Sequence, residues 1–221
     1  MVDKRNKTKE NLHCFQMDNL LLTTAYFPPV AYFSAIRQAD HTYIEQFENF
    51  GKQSYRNRCE IMTANGVIPL TVPVAKANSK TLVKDLKIVY PTNWQKLHFK
   101  GIESAYKNSP YYEYYIDDLI PFFEEKKEYL LDLNNAILSK VLELLKLNAD
   151  IQLTDDYIQE GNTEYTDLRN SIHPKEARRQ PGADFPIHPY RQTFSDRCAF
   201  VPNLSILDLL FCCGPEAKNI L

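Results

Sequence analysis

Residues 43–74 read YIEQFENFGKQSYRNRCEIMTANGVIPLTVPV. A strand, a basic and aromatic loop, and a hairpin follow one another within about thirty residues. Asn65-Gly66 suits the two central positions of a type I′ turn, which require positive φ. Beyond it Ile68, Leu70, Val72 and Val74 alternate with Val67, Pro69, Thr71 and Pro73, the period of a half-buried strand. Pro69 and Pro73 lack an N–H, so this strand is expected at an edge or leaving the sheet near Pro73. Cys59, Ile61 and Thr63 alternate with Arg58, Glu60 and Met62 on the other arm. The loop Phe50–Arg58 carries three cations, Lys52, Arg56 and Arg58, together with Gln53, Ser54, Tyr55 and Asn57, and no acid. Two readings follow. Either Lys52, Arg56 and Arg58 hold a phosphate or carboxylate that Ser54 and Asn57 orient, or the loop is solvated and pairs with carboxylates elsewhere.

Toward the N-terminus, Leu20–Thr24 reads as a buried strand, and Pro28-Pro29 leads into a helix over Val30–Ala39. His41–Gln46 reads as the next strand. Strand, helix and strand in about thirty residues predict a βαβ unit with a parallel pair. The fold expected is therefore α/β: a mixed sheet covered by helices, with the hairpin as an antiparallel edge. Ligands of such sheets lie beyond the C-terminal ends of the parallel strands, which places Tyr26 and loop 47–58 at one site.

Toward the C-terminus, Leu82–Val89 reads as a strand. Thr92 or Asn93 can cap a helix whose inner face holds Trp94, Leu97, His98, Gly101, Ile102, Ala105 and Tyr106. His98 is either a satisfied core histidine or a pocket acid or base, since histidine titrates near neutrality. A helix ending at Pro121 is expected over Tyr111–Phe123, and the longest one over 129–147. Ile151–Thr154 suggests a short strand, 163–170 a short helix, and the basic run from Lys175 with the Pro- and Gly-bearing stretch 180–186 a lid. Asn203 or Ser205 can cap a last helix that Gly214 ends. Asp208 lies in its apolar run and requires a partner, either as a structural group or as a pocket carboxylate.

The 221 residues, 44% apolar and 24% charged, can bury a full core. They are expected to form one domain over 20–221, mainly helical across 90–147, behind a loose extension 1–19. A net charge of −2 argues against a general nucleic-acid or membrane-surface binder. Five cysteines, with no C-x-x-C pair, read as reduced thiols. No apolar signal core precedes residue 20, and no run is long enough to span a bilayer, so a cytoplasmic location is expected. P-loop, dinucleotide, nucleophile-elbow and zinc motifs are absent; no metal is expected, and the sequence leaves any cofactor unknown.

Three blocks of residues resemble the WbqC-like family, found in bacterial O-antigen and other surface-polysaccharide gene clusters. Phe50, Lys52, Ser54, Tyr55, Asn57, Arg58, Asn65, Gly66 and Leu70–Val74 match its central signature. Trp94, His98, Tyr106, Ser109, Pro110, Tyr111 and Tyr112 match its W-x-x-x-H helix. Tyr190, Gln192 and Phe200-x-Pro202-Asn203-Leu204-Ser205-Ile206-Leu207-Asp208-Leu209-Leu210-Phe211 match its closing motif. At the first strand the family has H-Q-P-N-Y-L-P. Here Tyr26-Phe27-Pro28 match, whereas Leu22-Thr23-Thr24-Ala25 replace the first four residues. The resemblance implies a role in surface-glycan synthesis and a glycyl or related group transfer. On that reading His98 and Asp208 are candidate catalytic groups. Tyr26, Lys52, Ser54, Tyr55, Arg56, Asn57, Arg58, Tyr111, Tyr190 and Gln192 would line the site of a phosphorylated or carboxylated ligand, such as a sugar nucleotide or activated acyl donor. The alternatives are a non-catalytic partner or binding module of a polysaccharide-synthesis complex and, by fold analogy, a nucleotidyltransferase-like enzyme.

Overall fold

Leu20, Leu21 and Leu22 are at most 1% exposed. A strand buried on both faces is a central strand of a parallel sheet, which is why it reads as an unbroken apolar run. In the computed structural model, which describes residues 17–78, 80–175, 185 and 187–221, this strand is β1 (Met17–Thr23). It pairs in parallel with β2 (Ala39–Glu45), Leu20 opposite Thr42 and Thr23 opposite Glu45. The intervening helix α1 (Val30–Arg37) is buried from Val30 to Ile36 and packs on β2. The βαβ unit is therefore present. β5 (Asp150–Leu153) joins β2, and β6 (Thr166–Asp167) joins β1, giving a four-stranded parallel sheet in the order β5-β2-β1-β6.

The hairpin forms a separate two-stranded sheet of β3 (Arg58–Thr63) and β4 (Gly66–Thr71), so α/β with an antiparallel element is the architecture. Its turn sits one residue earlier than expected. Thr63 pairs with Gly66, so Ala64 and Asn65 are the central residues, and of the turn residues only Gly66 takes a positive φ, at 105°. Ala64 and Asn65 lack the positive φ that a I′ turn requires, and the left-handed glycine follows them. The Thr63 hydroxyl fastens it by donating to the Gly66 carbonyl (2.8 Å) and accepting from the Asn65 N–H (3.2 Å). Leu70 and Val72 face inward as expected, whereas Ile68 is 36% exposed.

The helices are α2 (Trp94–Tyr106), α3 (Tyr112–Leu119), α4 (Pro121–Glu124), α5 (Leu130–Leu145), α6 (Ile206–Cys213) and α7 (Ala217–Ile220). Asn93 caps α2 by accepting from the Lys96 N–H. Leu97 points to solvent, because α2 buries a narrower face than its apolar residues suggest. Pro121 begins α4 instead of closing a helix, as its missing N–H permits. The segment read as a strand over 82–89 holds a 3-10 turn at Val83–Asp85 and single bridges at Leu82, Lys87 and Ile88. The helix expected over 163–170 is replaced by β6: Leu20 and Leu21 supply a free strand edge, and tertiary pairing overrides a weak local preference. The basic run beyond Lys175, the lid over 180–186 except Phe185, and residues 1–16 lie outside the described residues. Residues 17–19, read as part of the loose extension, begin β1. Among the described residues no helix is long and apolar enough to cross a membrane, and Cys59, Cys198, Cys212 and Cys213 are free thiols.

Candidate functional site

Much of the recurrent motif content forms a clasp. The Tyr26 N–H donates to the Tyr55 carbonyl (2.9 Å), the Ser205 N–H to Glu60 (2.9 Å), and the Ile206 N–H to Pro28 (2.8 Å). Asn203 accepts from the Ala31 N–H at 2.9 Å, so it caps α1 from 172 residues away, while Ser205 caps α6. Such a cap is worth about 1 kcal/mol. Gly214 closes α6 with φ 55° directly beneath Tyr111, where a Cβ would come within 2.4 Å of the ring. Tyr111 is thereby a packing residue. Tyr55 is buried in the core. The Asn57 side-chain amide donates to the Val72 carbonyl (2.9 Å), and Arg58 lies on β3 opposite Thr71 with its Nε buried and unpartnered.

Beyond the C-terminal ends of the parallel strands lies a cavity of about 520 Å³. Its wall includes Glu48, Lys52, Ser54, Arg56, Arg169 and His173. Arg56 is buried and holds Glu48 through both Nε (2.9 Å) and Nη2 (2.5 Å), a bidentate pair. The Thr23 hydroxyl, at the end of β1, also donates to Glu48. The buried Asn134 amide on α5 donates to Thr24 (3.0 Å) and to the Arg56 carbonyl (2.8 Å), fixing the loop from behind. Arg169 donates to Asp167 through Nε (2.9 Å) and Nη2 (2.5 Å), and to Glu45 through Nη1 at 3.4 Å. Glu45, fully buried, also accepts from the Thr154 hydroxyl and the Phe47 and Ile158 N–H groups. Lys52 is exposed and forms no ion pair among the described residues. His173 Nδ1 lies 3.0 Å from the Lys175 nitrogen and 3.3 Å from the Lys175 carbonyl oxygen, so the backbone of Lys175 fastens the ring.

A second cluster lies under α6. Asp208 is 0% exposed; its Oδ2 accepts from the Tyr190 hydroxyl (2.7 Å) and the Gln192 amide (2.9 Å), and its Oδ1 is buried without a partner. Gln192 also clamps Val201 through both backbone groups. Burial raises the Asp208 pKa against the lowering pull of these donors. Burial and the nearby Asp208 push the Cys212 thiol up to about 12, which makes it a poor nucleophile. The Tyr190 phenol is raised by burial and by Asp208. The partner that Asp208 requires in its apolar run is thus supplied by neutral side chains.

His98 and Tyr26 form a third group. Tyr26 Oη lies 3.0 Å from His98 Nδ1, and the imidazole packs against the Tyr26 and Trp94 rings. Burial lowers its pKa to about 4, so it is neutral at pH 7. His98 and Tyr26 border the aromatic core, away from the strand-end cavity. Of the twelve residues singled out in the sequence, the cavity thus gathers Lys52, Ser54 and Arg56, and the α6 cluster gathers Asp208, Tyr190 and Gln192. The sequence reading missed Glu45, Glu48, Asp167, Arg169 and His173. One available signal was Glu45 and Glu48 placed directly after the apolar run of β2, where α/β sheets carry their ligands. Another was the alternation Asp167-Leu168-Arg169.

The model of the WbqC-like protein family matches residues 24–184 and 182–220, and the chain belongs to that family. It is similar to the uncharacterized protein Rv1507c of Mycobacterium tuberculosis, 27% identical over 222 residues, covering 91% of this chain and 96% of that one. No solved structure matches the chain significantly.

Proposed function

We propose that this WbqC-like protein is a group transferase of surface-polysaccharide biosynthesis, working in the cytoplasm, and that the strand-end cavity holds its donor, a small phosphorylated or carboxylated molecule. What carries the reading is the charge arrangement in that cavity. Arg56 and Arg169 are anchored by acids on their inner sides, while Lys52 adds an unpaired cation at the rim. Anchored guanidiniums are pre-organised donors that need no rearrangement when an anion arrives. Gly51 leaves room at Arg56 Nη1, only 3.4 Å from where a Cβ would stand. Lys52 and Arg56 bind the anion, and Glu48 orients Arg56.

A thermal-shift panel of sugar nucleotides, acyl-CoA, amino acids and nucleoside phosphates tests this. A ligand at about 100 times its Kd adds roughly 2.7 kcal/mol, several degrees for a chain of this size. The expected result is a shift with one donor class that Lys52→Ala diminishes. One observation favours a second reading, a non-catalytic binding module. Leu22 stands where the family carries His, and Thr23 and Thr24, at its Gln and Pro, engage Glu48 and Asn134. A flat panel on folded protein would select that reading.

A further inference from the structure

A second, larger cavity lies elsewhere. It is a groove of about 740 Å³ between the start of α2 and α4, lined by Tyr90, Lys96, Phe99, Ile120, Phe123 and Lys126 among others. Small-molecule sites span about 300–1,000 Å³. Its floor is apolar: Phe99 and Phe123 meet at 5.9 Å between ring centroids. Its aromatic wall is held rigidly. Trp94 stacks behind Tyr90 at 5.8 Å, and the Tyr90 hydroxyl both donates to the Lys127 carbonyl (2.8 Å) and accepts from the Lys127 N–H (3.0 Å). The Gln95 amide donates to the Phe122 and Glu125 carbonyls at 3.3 and 2.6 Å, locking α4 to α2. Lys96 and Lys126 are exposed at the rim, and neither forms an ion pair among the described residues; Lys126 hovers 5.2 Å above the Tyr90 ring.

An ammonium parked on an aromatic face marks a position where a flat ring can replace it and a phosphate can draw it aside. We propose that this groove binds a nucleoside phosphate, the base against Tyr90 and Phe99 and the phosphate at Lys96 and Lys126. The chemistry asks for both halves of the ligand: a planar ring for the rigid aromatic wall, and an anion for the two rim lysines, which outnumber the one acid of the lining, Glu124. The site stands apart from the strand-end cavity and requires nothing of the transferase reading.

Isothermal titration calorimetry on the full chain tests it, with AMP and UMP, the nucleosides adenosine and uridine, and pyrophosphate as probes. At least one nucleotide is expected to bind, with its nucleoside and pyrophosphate each weaker by roughly tenfold or more. The double variant Lys96→Ala, Lys126→Ala is expected to lose a similar factor, and Phe99→Ala to weaken nucleotide but not pyrophosphate. The lysines are exposed, so an unchanged melting temperature verifies the fold of the double variant. The proposal is overturned if neither nucleotide binds, if pyrophosphate binds as tightly as the nucleotide, or if the double variant keeps full affinity. Nucleotide binding lost in a Lys52→Ala variant but kept in the double variant would place the ligand in the strand-end cavity and overturn it equally.

Discussion

At the strand ends, Glu45, Glu48 and Asp167 each face a guanidinium, from Arg169, Arg56 and Arg169 respectively. Under α6, Asp208 is as deeply buried as Glu45 but meets uncharged donors, the Tyr190 and Tyr106 phenols and the Gln192 amide. The first region neutralises charge by pairing, the second by favouring the protonated acid. A paired cluster can present the outer side of its guanidiniums to an anion. A cluster of uncharged donors around the acid offers hydrogen bonds and a firm anchor for the 190–201 segment. The difference explains why the same chemical group, a buried carboxylate, marks a candidate binding site in one place and a structural knot in the other.

The sharpest break of that comparison is Arg169→Met. It strips the buried Glu45 and the half-buried Asp167 of their partner at once, and removing one side of a buried pair costs roughly 3–5 kcal/mol. Arg169→Met is therefore expected to lower the urea midpoint more than any exposed-surface change does. A loss below about 1 kcal/mol would mean that Glu45 and Asp167 are satisfied without Arg169, and the contrast with Asp208 would collapse.

A smaller effect comes from the neutral side. His98 titrates at about 4 when folded, against about 6.5 when free. Its folded pKa is depressed, so the unfolded chain takes up the proton first. The stability it protects is present above about pH 6.5 and is lost as pH falls toward 4, in all about 3 kcal/mol. His98→Gln keeps a hydrogen-bond partner for Tyr26 and removes the titration. Its stability is expected to flatten between pH 6.5 and 4 in urea melts, and an unaltered slope would show that the imidazole is hydrated in the folded chain.

The sheet's first half was legible because β1, α1 and β2 announce themselves by local pattern: a continuous apolar run, a proline-led helix, and a second run within reach. β6 was not legible, since two residues carry no periodicity and owe their strand geometry to the open edge of β1. The turn of the hairpin slipped by one residue because Gly66 can serve either geometry. At the site, Lys52, Ser54 and Arg56 were readable from their crowding in one loop. Arg169 and His173 were not, because only the fold brings positions more than a hundred residues apart beside Glu45 and Glu48. Arg58 and Asn57 share the loop's composition, but β3 and Val72 commit them to the hairpin.

The smallest effect expected is the most telling. Asp208→Asn preserves the shape of the side chain and leaves one oxygen to accept from Tyr190 and Gln192. Since burial raises the Asp208 pKa, the folded chain holds this proton more tightly than the unfolded one. The contribution of Asp208 is then fully present below its usual titration range and declines as pH rises through the raised pKa. Asparagine has no proton to lose. At low pH the variant is expected to lie within about 1.5 kcal/mol of the parent, the scale of one altered hydrogen bond. As pH rises the balance moves in favour of the variant, the opposite of what a cation-paired carboxylate gives. Denaturation of both proteins across pH 4 to 8 measures this directly. A penalty for asparagine that grows with pH would mean that Asp208 is ionised and paired in the folded chain, and would move it into the same class as Glu45 and Glu48.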